Sequence, residues 1–192
     1  MADGFFLPEC PRWHDGRLFM VDIFGHQILH IDQAGGKHVV HQFGPHEDAG
    51  GIGWLPDGRL LAVEQLSRTV HVISEDGASL HADLSAFGPY PLNDMIVAAD
   101  GTAYVSGFGW DVWGGGAFAE SGLLRIRPDG SADVAVKDMK APNGLALSEG
   151  GDALYVAEPG GARLRRFTVE SDGRLAGEEV VTPQGGGEER PY

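Results

Sequence analysis

Four stretches of the chain repeat one pattern of polar and apolar positions: Glu9–Asp22 (ECPRWHDGRLFMVD), Gly50–Glu64 (GGIGWLPDGRLLAVE), Asn93–Ser106 (NDMIVAADGTAYVS) and Asn143–Glu158 (NGLALSEGGDALYVAE). Each has a polar or glycine start, a short apolar run, a tight turn and a second apolar run. Each is followed by an alternating run, QILHID from Gln27, TVHVI from Thr69, GLLRIR from Gly122 and RLRRFTV from Arg163. Period-two alternation rich in Val, Ile, Leu and Phe predicts half-buried strands. The turns carry Asp15-Gly16, Asp57-Gly58, Asp100-Gly101 and Gly150-Gly151 after the first strand. Gly35-Gly36, Asp76-Gly77, Asp129-Gly130 and Asp172-Gly173 follow the third. These pairs tolerate the positive φ that tight hairpins need.

Repetition at this period predicts an all-β chain of four-stranded antiparallel blades, a β-propeller in one domain spanning residues 1–192. The blades run over approximately 9–49, 50–92, 93–142 and 143–192. No stretch has a helical period with caps. In the third unit SGFGWDVWGGGAFAESG, residues 106–122, intervenes between the second and third strands. It reads either as a cover over a pocket or as a loop anchored by its aromatics.

Superposing Trp13, Trp54, Val97 and Leu147 brings Glu9, Gly50, Asn93 and Asn143 to one shared position. In a propeller the starts of the innermost strands surround one mouth of the central channel. Asn143-Gly144 is therefore expected to open an innermost strand, although the dipeptide elsewhere marks a hairpin turn. One carboxylate and two carboxamides at equivalent positions make an oxygen donor set suited to a hard divalent cation, calcium before magnesium or zinc. Singly, such residues at strand starts more often bond to backbone.

Composition narrows the partners. The net charge of −14 repels phosphate backbones and anionic lipid, so neither nucleic acid nor a membrane surface is an expected partner. No apolar run approaches the roughly 18 residues of a membrane helix. The lone Cys10 cannot form an intrachain disulfide, and MADGFFLPEC has no secretory pattern, which together predict a cytoplasmic protein. Histidines 26, 30, 71 and 81 are expected at strand surfaces or edges, and His46-Glu47-Asp48 in a solvated loop. Ser106, Ser121 and Ser148 lack a nucleophile elbow or a paired base, and the carboxylate of Glu9 beside Cys10 makes that thiol a poor nucleophile.

The stretches PECPRWHDGRLFMVD, GGIGWLPDGRLL, LNDMIVAADGTAYV and PNGLALSEGGDALYVAE, in this order, resemble the SMP-30/gluconolactonase/LRE-like family. The resemblance implies a six-bladed propeller that opens lactones, sugar lactones or related rings, with water and a divalent metal. It makes Glu9 and Asn143 metal ligands and Asn93 a residue that binds substrate. A further aspartate, ligand and base, is expected in a Pro-Asp-Gly motif beyond Tyr192. On this reading the chain holds about four of six blades and is either a truncated product, inactive by itself, or a genuine four-bladed ring. Cys10 replaces a usual glycine, and Pro91 stands two residues before Asn93 where some sugar lactonases carry arginine. The alternatives are a non-catalytic propeller that binds a partner or ligand, and a related esterase or epimerase. Oligomeric state and the identity of the lactone are not specified by these residues.

Overall fold

The computed structural model describes residues 3–181. The last eleven residues of the expected fourth blade, 182–192, lie outside them. Among the described residues sixteen strands form four sheets, each a meander in chain order. The first sheet contains β1 (Pro8–His14), β2 (Arg17–Asp22), β3 (Gln27–Ile31) and β4 (Lys37–Gln42). The second contains β5 (Ala49–Trp54), β6 (Leu60–Glu64), β7 (Thr69–Ser74) and β8 (Gly77–Asp83). The third contains β9 (Leu92–Val97), β10 (Ala103–Gly107), β11 (Ser121–Ile126) and β12 (Ala132–Met139). The fourth contains β13 (Leu145–Leu147), β14 (Ala153–Glu158), β15 (Arg163–Val169) and β16 (Leu175–Val180). This is the expected blade architecture, and the chain is a β-propeller of four antiparallel blades.

Alternation along the strands places apolar side chains between neighbouring blades. Three buried clusters result. The first includes Val21, Ile28, Ile52 and Ala62 between blades one and two. The second includes Val63, Val70, Met95 and Val105 between blades two and three. The third includes Tyr104, Leu123, Leu154 and Phe167 between blades three and four. Polar contacts reinforce the joints. His14 stacks on Trp54 with ring centroids 4.0 Å apart. The Tyr104 hydroxyl donates to the Gly173 carbonyl at 2.8 Å, and its burial pushes the phenol up to about 12.

The innermost strands touch in the order β1, β5, β9, β13. Their close approach depends on the sequence AGGIGW of β5. A Cβ at Gly51 would lie 1.9 Å from the amide nitrogen of Met95, and one at Gly50 would lie 2.5 Å from the carbonyl oxygen of Asn93. No side chain fits there without moving backbone. At Gly144, by contrast, a Cβ would meet nothing within 4 Å.

Gly51→Ala should therefore cost at least about 3 kcal/mol, at or beyond the upper end of ordinary overpacking. Gly144→Ala should stay within about 0.5 kcal/mol of the parent in urea denaturation. A second expectation concerns pH. Burial, with the nearby His71, lowers the His41 pKa below its ordinary 6.5. The folded state then binds a proton at His41 less readily than the unfolded chain. His41 contributes full stability above about pH 6.5, and that contribution is lost as the pH falls through the unfolded and then the folded value. Replacing His41 with Gln should flatten the fall in melting temperature between neutral and mildly acidic buffer.

Candidate functional site

The mouth ends of three blades are built by a repeated device. In each, a buried carboxylate at the end of the second strand accepts hydrogen bonds from backbone N–H groups just before the first strand. Asp22 accepts from Leu7 at 2.7 Å, Glu64 from Asp48 at 3.0 Å, and Glu158 from Lys140 at 2.8 Å. All three side chains are almost fully buried. Glu64 also accepts from Ser67 at 2.6 Å, and Glu158 is paired with Arg163 and Arg165. Each carboxylate fixes the approach of the chain to the channel. The acidic residues ending MVD, AVE and VAE recur in the sequence, and that periodicity was the available signal for them.

Asn143 lies two residues before β13, with its N–H donating to the Ala157 carbonyl at 2.9 Å. Asn143-Gly144 therefore opens the inner ladder and is not the centre of a hairpin. The structure brings two of the three candidate side chains together: Asn93 Nδ2 donates to Asn143 Oδ1 at 3.1 Å, across 50 residues of sequence. Gly50 lies against the backbone of Asn93. Glu9 is exposed, faces Val21 in the β1–β2 ladder, and makes no hydrogen bond to either carboxamide. Its neighbour Cys10 lies near the neighbour of Asn93, and the Asp94 carboxylate helps to raise the thiol.

Beneath the mouth, Arg12 joins the first and third blades directly. Its Nη2 donates to Asp94 Oδ1 at 2.8 Å and to the Met95 carbonyl at 2.6 Å. Asp94 is buried, and its own N–H is held by Ser106 Oγ at 3.0 Å. Ser106 is thus a structural hydroxyl. The ladder between β1 and β2 shifts register between Glu9 and Arg12, and Cys10 there has φ 52°. This left-handed backbone explains why glycine suits that position. Burial pushes the Cys10 thiol well above its ordinary range, with Asp94 next in effect and Glu9 a smaller contributor. The poor nucleophile expected from sequence is present, chiefly for a different reason.

The third blade has Gly107 opposite Leu92 where the others have a carboxylate, and the long insertion leaves the sheet there. Phe108, Trp110 and Phe118 form a chain of ring contacts at 5.2 and 4.9 Å. Phe118 reaches Gly160 at the mouth end of blade four. Trp113 meets Phe24, in the β2–β3 turn of blade one, at 5.5 Å. The insertion therefore reaches mouth-end turns on both sides of its own blade, as a strap held by its aromatics. The reading as a loop anchored by its aromatics describes it.

His46 and Glu47 lie exposed in a loop as expected, and the loop is tied down by local contacts. Asp48 pairs with His26 at 3.2 Å, and Glu47 accepts from Gly44 at 2.7 Å. Among the described residues no group of three or more His, Cys, Asp or Glu side chains is placed to hold a metal. The contact the structure shows at the shared position is between the two carboxamides. Their oxygens match a hard cation, and Asn143 Oδ1 keeps one lone pair beyond the bond from Asn93.

With this geometry in place, comparison with known proteins is informative. Residues 7–191 match the SMP-30/Gluconolactonase/LRE-like region, and the chain belongs to that family. Lactonase drp35 of Staphylococcus aureus (strain MW2) is 27% identical over 165 residues, covering 82% of this chain and 49% of its own. The chain thus spans about half the length of the staphylococcal lactonases it matches. A gluconolactonase from Xanthomonas campestris superposes with TM-score 0.77 at 24% identity, covering 93% of this chain and 63% of that one. The calcium-binding protein regucalcin from Agrobacterium tumefaciens superposes with TM-score 0.72 at 20% identity, covering 92% and 59%. These likenesses support the propeller fold.

The carboxylate device predicts that Glu158→Ala costs about 3 kcal/mol, because Arg165 stays buried with only its partly exposed partner Glu178. Chemical denaturation measures this, and an effect under about 0.5 kcal/mol would place the stabilisation elsewhere.

Proposed function

We propose that the mouth is the substrate end of a lactone hydrolase, with Glu9 and Asn143 as cation ligands and Asn93 as the group that binds the ring. The observation that carries this reading is the Asn93–Asn143 hydrogen bond, made at the repeat position where the first blade supplies a carboxylate. Family membership and the names of the relatives support it.

A divalent cation, calcium before magnesium or zinc, would be held by the Glu9 carboxylate and the Asn143 carboxamide oxygen. When bound it supplies Lewis-acid polarisation of an acyl oxygen. The chain's own residues do the rest. The bond to Asn143 fixes the Asn93 carboxamide, so it is oriented before the ring arrives. The Arg12–Asp94 pair holds the strands beneath them. The strap excludes bulk water once a ring is seated.

In the overall reaction water adds at the acyl carbon, the ring C–O bond breaks, and the leaving oxygen takes a proton, giving a hydroxy acid. The substrate is a small uncharged lactone, and a lone buried thiol fits work in the reducing cytoplasm. No helix among the described residues is long and apolar enough to cross a membrane.

A non-catalytic binding propeller is the second reading. The observation that favours it is that Glu9 faces Val21 in the β1–β2 ladder while the two carboxamides bond to each other. Lactone turnover by the full-length protein with and without chelator separates the two. Asn143→Ala should lower calcium-dependent hydrolysis at least about 100-fold and weaken calcium binding by calorimetry. Parent-like turnover in that variant, or turnover indifferent to chelator, overturns the proposed roles.

A further inference from the structure

Between blades two and three, reaching inward as far as the Pro91-Leu92 segment that leads into Asn93, the structure holds a cavity of about 340 Å³. It falls within the range of small-molecule sites, which start near 300 Å³. Its walls include Leu84, Phe87, Tyr90, Leu92, Leu124 and Val134. Phe87, Tyr90 and Val134 keep two-fifths of their surface exposed. Three charged residues border it: Glu120 and Lys137 are exposed at its rim, and Arg68 is half-buried with its Nη1 donating to the carbonyls of Leu66 and Pro89. Gly88 also lines it, with open space where a Cβ would stand.

Two features connect this cavity with the mouth. Pro91 and Leu92, which immediately precede Asn93, form part of its wall. Phe108, at the root of the strap, forms another part and stands edge-on to Trp110. The strap thereby lays aromatic surface between the cavity and the turns around the mouth. A polyhydroxylated ring would need hydrogen-bonding groups along this side. Pro91 offers no N–H, and its carbonyl already accepts from Phe108 at 2.9 Å.

We infer that the cavity receives the apolar substituent of the ring substrate, so that the preferred lactones carry an alkyl chain in place of several hydroxyls. This rests on the lactone hydrolase reading. The ring sits at the carboxamide pair, and the chain passes beneath the strap root into the cavity. Each methylene removed from water there should raise kcat/KM about three- to fourfold, until the cavity is full.

The test uses the full-length protein and γ-lactones that are unsubstituted or carry butyl, hexyl or octyl chains, with glucono-δ-lactone as the polar comparison. Binding of 2-octylcyclopentanone, which cannot be hydrolysed, is measured by calorimetry against cyclopentanone. Two variants fill the cavity from different walls. Gly88→Leu uses an extended backbone with free space at Cβ, and Val134→Trp uses an edge position. The parent should prefer longer chains, and both variants should lose that preference while keeping turnover of the unsubstituted ring within about twofold. Turnover that ignores chain length, in parent and variants alike, overturns the cavity assignment and leaves the lactonase reading standing. Chain-dependent binding of the ketone that both variants abolish, without turnover of any lactone, keeps the cavity and overturns the lactonase reading. Neither turnover nor chain-dependent binding overturns both.

Discussion

The close approach of β5 to β9 is the constraint on which the mouth depends. Gly50, Gly51 and Gly53 leave their side of β5 as bare backbone, and Asn93, Met95 and Val97 of the next blade occupy that space. A strand with side chains at those places would hold the third blade farther out. Asn93 would then lie farther from the channel, and the register that brings it to Asn143 would have no support. Gly50 also gives up the chemistry of the shared position. The second blade contributes proximity where the first, third and fourth contribute oxygen atoms.

Around this joint the blades divide the work between stability and access. Asp22, Glu64 and Glu158 each bind backbone N–H groups at the mouth, which makes three of the four corners rigid. Burying a carboxylate is tolerable only because several donors converge on it. The third blade has no such anchor at Gly107, and there the chain departs into the aromatic strap. The corner without the carboxylate is therefore the one from which a covering segment grows. Its edge-on ring contacts with Phe24, and its packing on Gly160, hold it by apolar surface that a ligand can replace.

Much of this was legible in the sequence because the repeat is written in local signals. Strand alternation, Asp-Gly turns and the recurring start at Glu9, Gly50, Asn93 and Asn143 need only neighbouring residues to be recognised. The role of Asn143-Gly144 followed from its place in the repeat, against its usual turn preference. Other features depend on partners far apart in the chain. Arg12 and Asp94 are separated by 82 residues, and nothing local marks them as a pair. The raised thiol of Cys10 was assigned to its neighbour Glu9, whereas burial and Asp94 dominate, because burial is set by the packing of three blades. The contact of Trp113 with Phe24 was equally hidden, since an insertion carries no register that says where it lands.

The charges around the mouth bear on the kind of molecule it can serve. The chain has a net charge of −14, yet the Asp94 carboxylate beneath the mouth is already paired with Arg12. Among the three proposed groups, Glu9 alone carries a formal charge, since the two asparagines are neutral. A divalent ion held there would keep part of its positive charge uncompensated. That residual charge would give little ground-state preference to a neutral ring and would favour the proposed reaction, in which negative charge develops on the acyl oxygen. A site with three carboxylates would grip the ion harder and forfeit that difference. The use of carboxamides in place of carboxylates at Asn93 and Asn143 would thus leave the proposed ion incompletely neutralised, as the proposed ester chemistry requires.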